Sequence, residues 1–220
     1  MTNRLAVFDC DGTLVDSQAN ICRAMEATFE AHRLPPPDRA AIRGIVGLSL
    51  APAIARLLPE ADDGLHLAMA EEYKRAFHAM RASAALDPEP LYDGIIETID
   101  ALDAAGWLLG VATGKSDRGL KLILEHHGLQ DRFVTLQTAD RHPSKPHPAM
   151  LELAIAEAGA TPETTAMIGD TSYDMAMARA AGAHAVGVLW GYHTSGELLG
   201  AGAQVIADHA SQLPAHLERL

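Results

Sequence analysis

The chain has 220 residues, with 17 Lys or Arg against 29 Asp or Glu and a formal charge of −12. That length fits one large domain or a core with a small insertion, and it buries enough surface to fold without staples. The acidic balance argues against nucleic-acid binding, two cysteines are too few for a disulfide framework, and no run of about 18 apolar residues offers a membrane span. An anionic ligand on such a chain needs local positive charge from a cation, Lys, Arg or helix N-termini. The first apolar stretch is too short for a secretory signal and runs at once into acids, so the expected compartment is the cytoplasm.

Leu5-Ala6-Val7-Phe8 is a continuous apolar run ending in Asp-Cys-Asp-Gly, the pattern of a buried strand followed by a tight loop. From Ser17 to about Leu34 the period turns helical, with Ile21, Met25, Thr28 and Phe29 on one face, until Pro35-Pro36-Pro37 stops it. Further helices are predicted at about 38–46, 49–58 and 64–82, and no strand between 17 and 89. Asp87-Pro88-Glu89-Pro90 reads as a linker. After it, helices at about 93–105, 117–127, 147–158 and 172–181 end on Gly106, Gly128, Gly159 and Gly182. Strands are predicted between and after them at 107–112, 133–136, 165–168 and 185–189. This alternation predicts an α/β fold: a Rossmann-like parallel sheet with helices on both faces, formed by residues 1–16 and 90–220, with an inserted all-α segment at 17–89.

Unusual polar residues cluster at the strand ends. Asp9 and Asp11 follow the first strand, and Thr113, Gly114 and Lys115 the second. Lys145 lies in the loop beyond the third, and Gly169, Asp170 and Asp174 follow the fourth. In an open parallel sheet the carboxyl ends of the strands form the ligand edge, so these distant segments are expected to converge.

Asp9-Cys-Asp-Gly-Thr13, the apolar run into Thr113, Lys145-Pro146 and Gly169-Asp-x-x-x-Asp174 resemble, in order and spacing, the four motifs of the haloacid-dehalogenase-like hydrolase superfamily. The helical insertion resembles the small cap of its phosphoglycolate-phosphatase and β-phosphoglucomutase branch. The resemblance implies a phosphatase that works through an aspartyl-phosphate. Asp9 is then the nucleophile, since a carboxylate can attack phosphorus and divide one hard displacement into two. Asp11, two residues on and pointing the same way, protonates the leaving oxygen and later deprotonates water. Gly12 and Thr13 are expected to offer backbone N–H groups to the phosphate. Thr113 and Gly114 join the phosphate site, although the family often has Asn at the second of these positions. Lys145 neutralises the phosphate as a point cation. The family pattern implies Mg²⁺ on Asp9, the Asp11 carbonyl and Asp170, which suits an oxygen-only site. Asp174 either supports the metal's water shell or opens the next helix. Arg43, in the insertion, is expected to meet a substrate carboxylate or to be a solvated helix residue.

The expected partner is a small phosphorylated metabolite, with phosphoglycolate first by overall layout, handled by a monomer or homodimer. A β-phosphoglucomutase-like mutase, a pyrophosphatase or nucleotidase, and a catalytically silent phosphate-binding scaffold are the alternatives.

Overall fold

The computed structural model describes residues 2–220; Met1, the first residue of the expected core segment 1–16, lies outside the described residues. β1 (Asn3–Phe8) is followed by four helices: α1 (Gln18–Ala31), α2 (Arg39–Arg43), α3 (Leu50–Leu57) and α4 (Asp63–Ala82). Then come α5 (Ile95–Ala104), β2 (Trp107–Thr113), α6 (Asp117–His126), β3 (Thr135–Thr138), α7 (Ala149–Ala158) and β4 (Ala160–Gly169). The chain ends with α8 (Ser172–Ala180), β5 (His184–Val188), α9 (Ser195–Ala201), β6 (Val205–Ala207) and, after a short 3₁₀ turn, α10 (Leu213–Leu217). Among the described residues no helix is long and apolar enough to cross a membrane.

The six strands form one parallel sheet in the order β3-β2-β1-β4-β5-β6. β1 lies in the middle, and Leu5, Ala6, Val7 and Phe8 have no exposed surface. Alternation divides them between two cores. Ala6 and Phe8 pack with Ile95, Ile99, Val111 and Leu213, whereas Leu5 and Val7 pack with Met150, Leu151, Met175 and Leu198. Each fully buried Leu or Phe contributes about 1.5–3 kcal/mol, so the strand carrying the first acids is firmly seated. The strand order reverses between β1 and β4, and the crevice there is the usual ligand position of a doubly wound sheet.

The helices between β1 and α5 have their own apolar cluster, built on Met25, Phe29, Ile42, Ile54 and Met69. It extends to Tyr173 of α8, whose hydroxyl donates to the Gly44 carbonyl at 2.8 Å. The Ser49 N–H also donates to Ser144 Oγ at 2.9 Å. The loop 44–49 is thereby tied across the carboxyl edge of the sheet.

Four local expectations shift. β3 begins at Thr135, because Phe133 is tucked into the core ahead of the ladder. The predicted helix at 38–46 is helical only over Arg39–Arg43, and Gly47 then takes a positive φ of 95°. β4 starts five residues early, at Ala160, with a register break between Asn3 and Leu5 on its partner. The α9, β6 and α10 elements were not anticipated.

Candidate active site

The first acid is placed by the sheet. The Asp9 N–H donates to the Ile168 carbonyl at 2.9 Å, which extends the β1–β4 ladder past the strand end. The Asp9 carboxylate is fully buried. Its Oδ1 accepts from the Cys10 N–H at 2.7 Å and lies 2.9 Å from Lys145 Nζ. Its Oδ2 has no hydrogen-bond partner among the described residues. Lys145 is itself buried, and an ammonium there is tolerable only if paired. It bridges Asp9 and Asp174, at 2.6 Å from Asp174 Oδ1. Burial pulls the Lys145 pKa down, but the two carboxylates more than offset this and hold it above its ordinary value.

Asp174 is fixed by the helix it opens. Its Oδ2 accepts from the Thr171 N–H at 3.1 Å and from Thr171 Oγ1 at 2.7 Å, while Thr171 Oγ1 caps the Asp174 N–H. This reciprocal box satisfies the first turn of α8. Of the two expectations for Asp174, the helix opening is observed, with the Lys145 clamp added to it.

Asp170 Oδ1 accepts from Thr13 Oγ1 at 2.8 Å and Oδ2 from the Tyr192 N–H at 2.9 Å. Asp9, Asp170 and Asp174 each offer a carboxylate oxygen within 4.8 Å of the others. Three buried acids thus face one buried Lys. Burial pushes the Asp9 carboxyl up to about 7, with Lys145 pulling the other way. Burial, then repulsion from Asp174 and Asp9, raises Asp170 well above the carboxylate range. A divalent cation would relieve this crowding, and the unpartnered Asp9 Oδ2 is an acceptor for it. The cluster offers only carboxylate oxygens, a hard donor set.

Asp11 has its carboxylate elsewhere. Its Oδ1 lies 2.6 Å from Lys115 Nζ and accepts a hydrogen bond from Ser17 Oγ. Asp11 and Lys115 both line a cavity of about 140 Å³ between the helical insertion and the sheet edge. The Asp11 carboxylate stands outside the three-acid cluster.

The turn after Asp11 bears on the expected role of Gly12 and Thr13. The Gly12 N–H is used on the Val15 carbonyl at 2.9 Å and the Thr13 N–H points to the Cys10 carbonyl at 3.4 Å. A turn this tight closes on its own donors, so both N–H groups are engaged within the turn. Glycine is needed at position 12 for two other reasons: φ is +84°, and a Cβ would sit inside the Asp170 carboxylate. Thr113 ends β2, with its Oγ1 accepting weakly from the Lys115 N–H at 3.3 Å. A Cβ at Gly114 would lie 2.7 Å from both the Gly47 and Leu48 carbonyl oxygens. Arg43 ends α2 and does not line the cavity, so its expected contact with a substrate carboxylate has no support there; the cations along the cavity are Lys74, Arg81, Lys115 and Arg118.

The stretch 190–193, to which no sequence motif gives a role, closes the site. Trp190 Nε1 donates to the Thr13 carbonyl at 3.0 Å and Tyr192 holds Asp170. His193 Nδ1 accepts from the Ser172 N–H at 3.1 Å. Its position just past β5, on the same sheet edge as the other segments, was the available signal.

A parallel sheet that gathers an Asp-x-Asp turn, a buried lysine and a carboxylate cluster along its carboxyl edge defines a hydrolase class, and the chain matches the haloacid dehalogenase-like hydrolase family model over residues 6–188. It belongs to that family. A probable phosphatase, IndB, of Dickeya dadantii (strain 3937) is 39% identical over 213 residues, covering 95% of this chain and 91% of its own. A phosphoglycolate phosphatase of Agrobacterium fabrum (strain C58) is 34% identical over 233 residues, covering 100% and 97%. In fold, a crystal structure of a predicted phosphatase from Clostridium acetobutylicum superimposes with a TM-score of 0.89 at 25% identity, each chain fully covered.

Proposed function

We propose that this phosphoric monoester hydrolase cleaves the ester of a small phosphorylated metabolite with Asp9 as nucleophile and Mg²⁺ as cofactor. The observation that carries the reading is the condition of Asp9. It is buried, one oxygen is held by Lys145 and the Cys10 N–H, and the other has no partner among the described residues.

Asp9 attacks phosphorus in line, forming an acyl phosphate as the bond to the alcohol oxygen breaks. Asp11, protonated in the substrate complex, gives its proton to that oxygen, then takes a proton from the water that attacks the acyl phosphate. Phosphate leaves and the Asp9 carboxylate is restored. Lys145 offsets the charge on Asp9 and on the transferring group, and the Thr113 hydroxyl donates to a phosphate oxygen. Mg²⁺, held by Asp9, the Asp11 carbonyl and Asp170, supplies further positive charge to the phosphate. Asp174 keeps Lys145 in place. The helical insertion acts as a cap, with its loop 44–49 excluding bulk water and the adjoining cavity taking the leaving group. The Agrobacterium relative makes phosphoglycolate the first substrate to assay.

The test is phosphate release from a panel of phosphomonoesters with and without Mg²⁺, comparing wild type with Asp9→Asn. The wild type is expected to need Mg²⁺, and the variant to lose at least about 1,000-fold in kcat. Full Mg²⁺-dependent turnover by Asp9→Asn would overturn the nucleophile assignment.

A further inference from the structure

The cavity beside Asp11 is lined by two chemically different sets of residues. Its body is apolar, with Ile45, Val46 and Leu48 from the cap loop, Tyr73 and Phe77 from α4, and Leu122 from α6. Its volume of about 140 Å³ would hold on the order of five waters, yet such walls give water few hydrogen-bond partners. Arg81 and Arg118 also line it. Arg81 is in the last turn of α4, half-buried, with its guanidinium 5.8 Å from the Phe77 ring centroid. Arg118 is exposed in the first turn of α6.

The pairing of these cations is informative. Lys74 is engaged with Glu71 at 2.7 Å, and Lys115 with Asp11. Among the described residues Arg81 and Arg118 make neither an ion pair nor a side-chain hydrogen bond, on a chain with 29 acidic residues. Two arginines without acids, lining the same largely apolar cavity as Asp11, match an amphipathic anion.

We infer that the substrate's leaving group has an apolar body, seated against Leu48, Tyr73 and Phe77, and carries a carboxylate, held by Arg81 and Arg118. This rests on the phosphatase reading and narrows its substrate class. Phosphoglycolate satisfies the carboxylate requirement and leaves the apolar walls uncovered. A neutral apolar ester does the reverse. Arginine suits the task because its planar fork meets a carboxylate by two parallel hydrogen bonds.

Four alkyl phosphates of similar leaving tendency separate the two requirements: ethyl phosphate, 2-phosphoglycolate, benzyl phosphate and 4-carboxybenzyl phosphate. With Mg²⁺, kcat/KM is expected to rise about tenfold from ethyl to benzyl and about tenfold more to 4-carboxybenzyl, the scale of one pocket contact each. Replacing both arginines (Arg81→Ala with Arg118→Ala) should bring the 4-carboxybenzyl to benzyl ratio down to about one. The benzyl rate in the denominator ensures that only folded, active enzyme is scored. The inference is overturned if 2-phosphoglycolate or ethyl phosphate is the best of the four, or if the ratio survives the double replacement. If none of the four is hydrolysed while other phosphomonoesters of the panel are, this inference falls and the phosphatase reading stands; if nothing in the panel is hydrolysed, both fall.

Discussion

Lys115 Nζ lies 2.6 Å from Asp11 Oδ1, and this pair joins the proposed acid to the strand end that carries Thr113. Both side chains are largely buried, at 13% and 11% exposure. Removing the cation therefore strands a carboxylate. Lys115→Met is expected to cost about 2–3 kcal/mol, less than a fully buried pair because Ser17 still donates to Asp11. Adding Asp11→Asn to Lys115→Met should recover most of that stability while activity stays lost. Urea unfolding of the two single variants and the double one measures the coupling. A double variant no more stable than Lys115→Met would mean that the pair is incidental.

On the proposed function, metal and proton compete for the three-acid cluster, and the sign follows from Asp9. Its carboxyl is raised from 3.8 to about 7 in the fold, so the metal-free native state keeps a proton that the unfolded chain has released. Stability of the metal-free protein therefore falls as pH rises from about 4 to about 7. Mg²⁺ needs the ionised acids, so its stabilising effect grows over the same interval. Thermal unfolding with Mg²⁺ or with a chelator, at about pH 5.5 and about pH 8, should show the larger Mg²⁺ shift at the higher pH. An equal shift at both would contradict the placement of the metal on Asp9.

Gly114 explains a departure from the family pattern, which often has Asn there. The Gly47 and Leu48 carbonyls come so close that any side chain at 114 would displace the loop 44–49. Gly114→Ala is expected to lower kcat/KM by about 10–100-fold through misplacement of that loop. The stability cost should be about 1 kcal/mol, since the loop can move while the sheet stays intact. Activity assays beside denaturant curves check this, and a variant with wild-type kcat/KM would show that the closed loop is not needed for turnover.

The core was legible because its strands are continuous apolar runs that end abruptly in acids or glycine. Leu5–Phe8 and Trp107–Ala112 could hardly be anything else once the glycine-ended helices between the strands were seen. The misses have physical reasons. β6 is only Val205–Ala207, too short for a periodic signal. α9 is a small, glycine-containing segment whose visible mark was its Thr194–Glu197 capping box. Residues Ala160–Thr164 carry no apolar run, so β4 looked shorter than it is. The convergence of Asp9, Lys145 and Asp170 followed from the strand-end rule. The spent donors of Gly12 and Thr13 did not, because turn closure at a few ångströms is invisible in residue types. Neither did the position of Arg43, because the face a short helix presents is set by its packing.

Asp174 offers the sharpest separation of structure from chemistry, because one carboxylate serves three donors: Lys145 Nζ, the Thr171 N–H and Thr171 Oγ1. An amide has a single oxygen. In Asp174→Asn, that oxygen either keeps the Thr171 box and turns an NH₂ toward Lys145, or keeps Lys145 and leaves the cap without its acceptor. Each choice leaves buried donors unpaired, and Lys145 loses one of its two counter-charges. The expected cost is about 2–4 kcal/mol, with kcat down about 100-fold as Lys145 shifts from Asp9. Thr171→Ala is the control, since it removes the cap hydroxyl and leaves the Lys145–Asp174 contact. That change should cost about 1 kcal/mol and alter kcat only a few-fold. Denaturation and steady-state kinetics on both variants decide the matter. If Asp174→Asn loses no more stability or kcat than Thr171→Ala, Asp174 is a helix cap and nothing else.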